Sequence, residues 1–151
     1  MKKFKYRAES YLKYLVHMRT KALRELKKAE AYRDQLVREY YGMESKVKTA
    51  YKINSEVGQE GRDIEFINDN NLYIKMLKIQ MENLSTEIES AEAVFQEKHQ
   101  ELLKLQLQVK KIELHKEAEF AKYKKELKKK SQKMTDEING TRRRVKHAES
   151  I

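Results

Sequence analysis

The side chains that could do chemistry here are few: four histidines, some neighbouring carboxylates and a crowd of lysines and arginines. His17, His99, His115 and His147 stand far apart, and none has another His or Cys at metal-ligand spacing, so each reads as an ordinary helix-surface residue. Adjacent carboxylates such as Asp136-Glu137 diverge by about 100° on a helix and cannot share a proton or a metal. The chain has no glycine-rich phosphate loop, no histidine pair at i, i+4 and no Ser/His/Asp set carried by a sheet. It reads as a non-enzyme that needs no cofactor. What remains is charge. Lys122, Lys124, Lys125, Lys128, Lys129, Lys130 and Lys133, followed by Arg142-Arg-Arg144, form a cluster that would attract acidic protein surfaces, nucleic acid or anionic lipid.

The elements that must carry this charge are helices. The 151 residues are 38% charged, with no Pro and only four Gly to interrupt a helix, and Lys, Glu, Leu and Ala are all strong helix formers. So polar a chain buries only a narrow seam. The seam is visible as a seven-residue series, Ala8, Leu15, Ala22, Ala29, Leu36, Met43, Ala50 and Val57. Its companion series, Leu12, Leu26, Tyr40 and Val47, is interrupted by Arg19 and Arg33. A second run reads Ile67, Ile74, Met81, Ile88, Phe95, Leu102 and Val109, with Leu77, Leu84, Ala91, Leu105 and Ile112 alternating. A strict heptad in a 3.6-residue helix stays covered only if a partner helix supercoils with it.

Between the two runs lies Asn54 to Asp63, holding Gly58 and Gly61 and offering Ser55 and Asp63 as caps. The expected fold is therefore all-α: a long two-helix antiparallel coiled-coil hairpin with a longer, protruding second helix. It forms a single domain over 1–151, with helix one about 4–56, a turn about 57–62 and helix two about 63–148. A parallel homodimer of long helices is the alternative, and the glycines between matched seams favour the hairpin and a monomer. The cluster Asn68 to Asn71 reads as a weak point at the start of helix two. Folding near residue 60 pairs residues whose numbers add to roughly 119 and sets Phe4 opposite residues near 115. After Ile112 the apolar series resumes out of step at Phe120, Leu127 and Met134, a stutter that ends the overlap near residues 113–120 and leaves roughly 30 residues unpaired.

Charge divides unevenly along the chain. Residues 1–39 carry 12 basic and 5 acidic side chains, residues 40–120 carry 11 and 15, and residues 121–151 carry 11 and 4. A hairpin would bring the two basic thirds to its open end. No Cys is present, nothing near Met1 resembles a signal peptide and no stretch is apolar enough to span a membrane, so a cytoplasmic location is expected. Binding of nucleic acid by a basic coiled coil is a second reading. It is disfavoured, because basic zipper regions fork from parallel dimers and Glu9, Glu25, Glu30 and Glu126 dilute the basic surface.

Phe4-Lys-Tyr-Arg7 followed by Tyr11-Leu12, Tyr73-Ile-Lys-Met-Leu77 after the turn, Lys110-Lys-Ile-Glu-Leu114, and Gln132 to Ile138 occur in an order and spacing that resemble the FliJ family. FliJ proteins are coiled-coil components of the bacterial flagellar export apparatus; the YscO-type injectisome counterpart shares the architecture. The resemblance implies a stalk that binds and regulates the hexameric export ATPase, contacts the membrane export gate and escorts export chaperones, peripheral to the inner membrane at its cytoplasmic face. Carried onto this chain, the ATPase contact is the open end, with Phe4, Arg7, Lys133, Asp136 and Glu137 as family-like positions beside the basic Lys122, Lys125 and Lys129. Tyr73 and Leu77 are the implied gate contacts.

Overall fold

The computed structural model describes residues 2–61 and 63–150. Two helices account for nearly all of them, α1 over Glu9–Glu60 and α2 over Ile64–Glu149. They pack antiparallel as a hairpin whose second helix, at 86 residues against 52, is much the longer. Every residue of the two apolar seams read from the heptads is buried or half-buried, as a coiled-coil interface requires.

The connection is tighter than the glycine spacing suggests. Gly58 and Ser55 lie inside α1, and the chain turns instead at Gly61, whose φ of 68° is the left-handed geometry that ends helices. Asp63 also has a positive φ, 65°, which is costly for a residue with a Cβ. Its side chain offsets that cost by capping α2: Asp63 Oδ1 accepts the Phe66 backbone N–H at 3.2 Å.

A turn just past Gly61 resets the pairing. The numbers of Arg33 and Glu92, of Glu9 and Lys116, and of Lys2 and Tyr123 each add to 125, not 119. Phe4 accordingly meets Phe120, not residues near 115.

The chain forms two compact units, one of Arg19–Lys104 and one of Met1–Met18 with Leu105–Ile151. The first contains the turn. Its core clusters are Val47, Ala50, Ile74 and Leu77, backed by Met81, and Leu36, Leu84 and Ala91, backed by Tyr40, Met43 and Ile88. Asn68 to Asn71 does not fray: Asn70 Nδ2 donates to the Ala50 carbonyl and to Asn54 Oδ1, and Asn54 donates to Asn71. Arg33, an intruder by sequence, spans the seam edge with its guanidinium 4.2 Å from the Phe95 ring centroid and 3.0 Å from Glu92.

In the second unit Leu12, Leu15 and Val109 form the core, with Val16, Leu105 and Ile112 against them. The chain before α1 is not helical, although the heptads suggest a helix from residue 4. Residues 2–6 run extended, a geometry in which Phe4 and Tyr6 point the same way while Lys3 and Lys5 stay exposed. Both rings turn onto α2. The Tyr6 hydroxyl is hydrogen-bonded to His115 Nδ1 at 2.7 Å, and Phe4 packs against Phe120 and Tyr123 at ring separations of 5.1 and 5.4 Å.

Candidate functional site

Two surfaces carry the residues expected to meet partners, one in each unit. In the unit of Met1–Met18 and Leu105–Ile151, 19 basic side chains face 8 acidic ones, a net charge of +11, whereas Arg19–Lys104 carries 15 and 16 and is nearly neutral. Charge is thus concentrated on one unit, where it can steer an acidic partner from a distance.

Within that basic unit the extended segment and α2 enclose a cleft of about 1220 Å³. It is lined by Phe4, Tyr123 and Leu127 together with Lys2, Lys3, Lys5, Lys122 and Lys130, with Glu119 and Glu126 among them. Tyr123 donates its hydroxyl proton to the Lys2 carbonyl at 2.6 Å, and Lys124 places its ammonium 4.6 Å from the Phe120 centroid. Lys116 Nζ lies 2.7 Å from Glu9 Oε2, fixing the first turn of α1 against α2.

The sequence-read residues divide by role here. Phe4 is half-buried, packs on Phe120 and lines the cleft, so its first task is packing. Arg7 is exposed in the turn before α1. Lys122, Lys125, Lys129, Lys133, Asp136 and Glu137 are all exposed on α2; Lys122 lies 3.5 Å from Glu119, a surface pair of little energetic weight. The overlap with the N-terminal segment extends to Tyr123 and Leu127, about one to two turns beyond the stutter. From Lys128 to Glu149 every residue except Gly140 is exposed, so the unpaired stretch is 22 residues, shorter than the 30 expected.

Near the turn, Tyr73 is 46% exposed, whereas Leu77 is 6% exposed and belongs to the core with Val47, Ala50 and Ile74. Leu77 therefore supports the surface from below and cannot be touched from outside. Heptad reading missed the residues that do form that surface, Leu72, Met76 and Ile79, each more than half exposed. Their i, i+4, i+7 spacing puts them on one face of α2, roughly opposite Ile74, Leu77 and Met81, and that second apolar series is the signal that marks them.

Among the described residues the resolved electrostatic perturbation, at Arg33 and Glu92, is structural. The Gln96 amide, then the Arg33 guanidinium, hold the Glu92 carboxyl below its usual range, and Glu92 in turn pushes Arg33 further up. Among the described residues no group of three or more His, Asp or Glu side chains is placed to hold a metal ion, and no helix is long and apolar enough to cross a membrane.

Comparison with curated proteins and with solved structures returns no match. The family model described as "Flagellar FliJ protein" matches residues 9–147, a span that takes in all of α1, the turn and α2 almost to its end. With its two-helix hairpin and overhanging second helix, the chain belongs to the FliJ family of flagellar export components.

Proposed function

We propose that this protein is a non-catalytic stalk and escort of the flagellar type III export apparatus. It acts as a monomer at the cytoplasmic face of the inner membrane, where it binds and regulates the hexameric export ATPase and touches the membrane export gate. The observation that carries this reading is the unpaired, basic stretch of α2 from Lys128 onward, an ordered helix left open for contact in a chain of this family. Lys122, Lys125, Lys129, Lys133, Asp136, Glu137 and Arg7 form the ATPase contact, with Phe4 holding the neighbouring segment in place. Tyr73, together with Leu72, Met76 and Ile79, forms the gate contact over the buried Leu77. Export chaperones are further partners.

The mechanism is one of differential affinity. An asymmetric helix pair inside a six-fold ring meets each subunit differently, so binding favours some ring states over others and biases assembly and the order of nucleotide turnover. Purified protein added to its cognate export ATPase at low salt should raise ATPase activity and promote hexamers in sedimentation. An ATPase whose activity and oligomeric state are both unchanged would overturn the proposal.

A further inference from the structure

From Phe120 onward α2 keeps a single apolar stripe, Phe120, Tyr123, Leu127, Met134, Ile138 and Val145, at intervals of 3, 4, 7, 4 and 7 residues. From Tyr123 the steps 4, 7, 4, 7 are an 11-residue repeat, which keeps the stripe narrow along a nearly straight helix. Its first half is partly covered: Phe4 packs on Tyr123 and on Phe120, which stays 39% exposed, the Lys2 carbonyl accepts the Tyr123 hydroxyl, and Leu127 is half-buried. Its second half is bare, with Met134 59%, Ile138 50% and Val145 51% exposed. The stripe is thus partly covered as far as Leu127 and open beyond it.

We propose that this open seam is completed by an acidic amphipathic helix of a partner protein, which packs along α2 past the N-terminal segment. Two observations select that occupant. The stripe is narrow, spaced by an 11-residue repeat and free of aromatic residues past Tyr123, which suits a helix; a helix lying on lipid presents a wide apolar face, commonly with Trp or Phe. Its flanks are basic: residues 128–149 carry 8 basic and 3 acidic side chains, a net of +5. Flanking charges decide the partner in coiled coils, so a second copy would bring like charges together, whereas glutamates on a partner's flanks would meet Lys130, Lys133 and Arg142. The inference deepens the reading of this stretch as a partner contact and rests on it, but its test does not involve the ATPase.

The full chain is titrated into fluorescein-labelled designed helices about four heptads long, with leucine and isoleucine at the seam positions and either glutamate or lysine at the flanks. Fluorescence anisotropy should give affinity for the glutamate-flanked helix at least about tenfold above that for the lysine-flanked one, falling as salt rises. The variant Met134→Gln, Ile138→Gln, Val145→Gln keeps every charge and a good helix former at each site, so its helicity by circular dichroism should match the parent while its affinity drops about tenfold or more. Parent-like affinity in this variant, equal binding of both helices, seam-dependent flotation with anionic phosphatidylglycerol vesicles, or seam-dependent self-association in sedimentation would each overturn the inference. If the acidic helix binds and the export ATPase does not respond, only the export reading falls; the reverse result removes this one alone.

Discussion

Asn70 Nδ2 sits 2.7 Å from Asn54 Oδ1 and 2.9 Å from the Ala50 carbonyl, joining α2 to α1 just beyond the last apolar cluster before the turn. Asn54 completes the set by donating to Asn71 Oδ1 at 2.8 Å. Apolar contacts tolerate a slip of one heptad, but paired amides do not, because a shift leaves each without its partner. These three asparagines therefore hold the register of the hairpin where the connection is shortest.

Replacing Asn70 with Ala should cost about 1 kcal/mol, the usual net worth of a part-buried hydrogen bond. In a double-mutant cycle with Asn54→Ala, urea denaturation should show the two losses to be markedly less than additive, because the second change removes a partner already gone. Full additivity would mean that the asparagines act separately.

The turn offers a cleaner separation of strain from capping. Asp63→Ala keeps the unfavourable φ of 65° and loses the cap to Phe66, so a loss of about 1–2 kcal/mol is expected. Asp63→Gly also loses the cap but relieves the backbone, and thermal melts should place it between the parent and the alanine variant. A glycine variant less stable than the alanine one would contradict the strain account.

Glu92 makes stability depend on pH on the acid side. Its carboxyl is held low by Gln96 and Arg33, so the contribution is fully present above the ordinary glutamate range and disappears as pH falls through its lowered value. At neutral pH Glu92→Gln should unfold at lower urea than the parent, and the gap should close on acidification. Arg33→Ala should reduce the same pH dependence, leaving the part that Gln96 supplies, and should also remove the contact with Phe95. A gap that stays constant from neutral to acid pH would exclude this role for the carboxylate.

Phe4→Ala should release the extended segment without unfolding the helices, because its ring contacts with Phe120 and Tyr123, worth about 0.5–1.5 kcal/mol each, are the main apolar anchor of residues 2–5. Trypsin should then cut at Lys2, Lys3 and Lys5 several-fold faster while circular dichroism is unchanged. Cleavage at the parent rate would show that Tyr6 and His115 suffice to hold the segment.

The seam was legible because heptad spacing follows directly from the geometry of two supercoiled helices, and from Leu12 to Ile112 each position so identified is buried or half-buried. The register was not. It depends on where the chain reverses, and Gly58 and Gly61 are equivalent by type; only the left-handed backbone at Gly61 and Asp63 distinguishes them. The asparagine cluster looked weak because its amides find partners on α1, 16 and 17 residues away in sequence. Likewise Phe4-Lys-Tyr6 alternates in the manner of a strand, a period-two signal hidden at the start of a strong heptad series. At the candidate sites, the exposure of the lysines followed from composition, whereas the burial of Leu77 and the exposure of Leu72, Met76 and Ile79 follow from which face of α2 the seam occupies.

The bare stretch from Lys128 to Glu149 has no core to hold it, so its turns persist only by propagation from the helix already formed before it. Nothing along it can start a helix afresh at low cost. Melting should therefore run inward from the C-terminus, one turn at a time and well below the temperature at which the hairpin opens. A ligand that covers this stretch would be felt first as a delay in that unzipping, before any change in the stability of the rest.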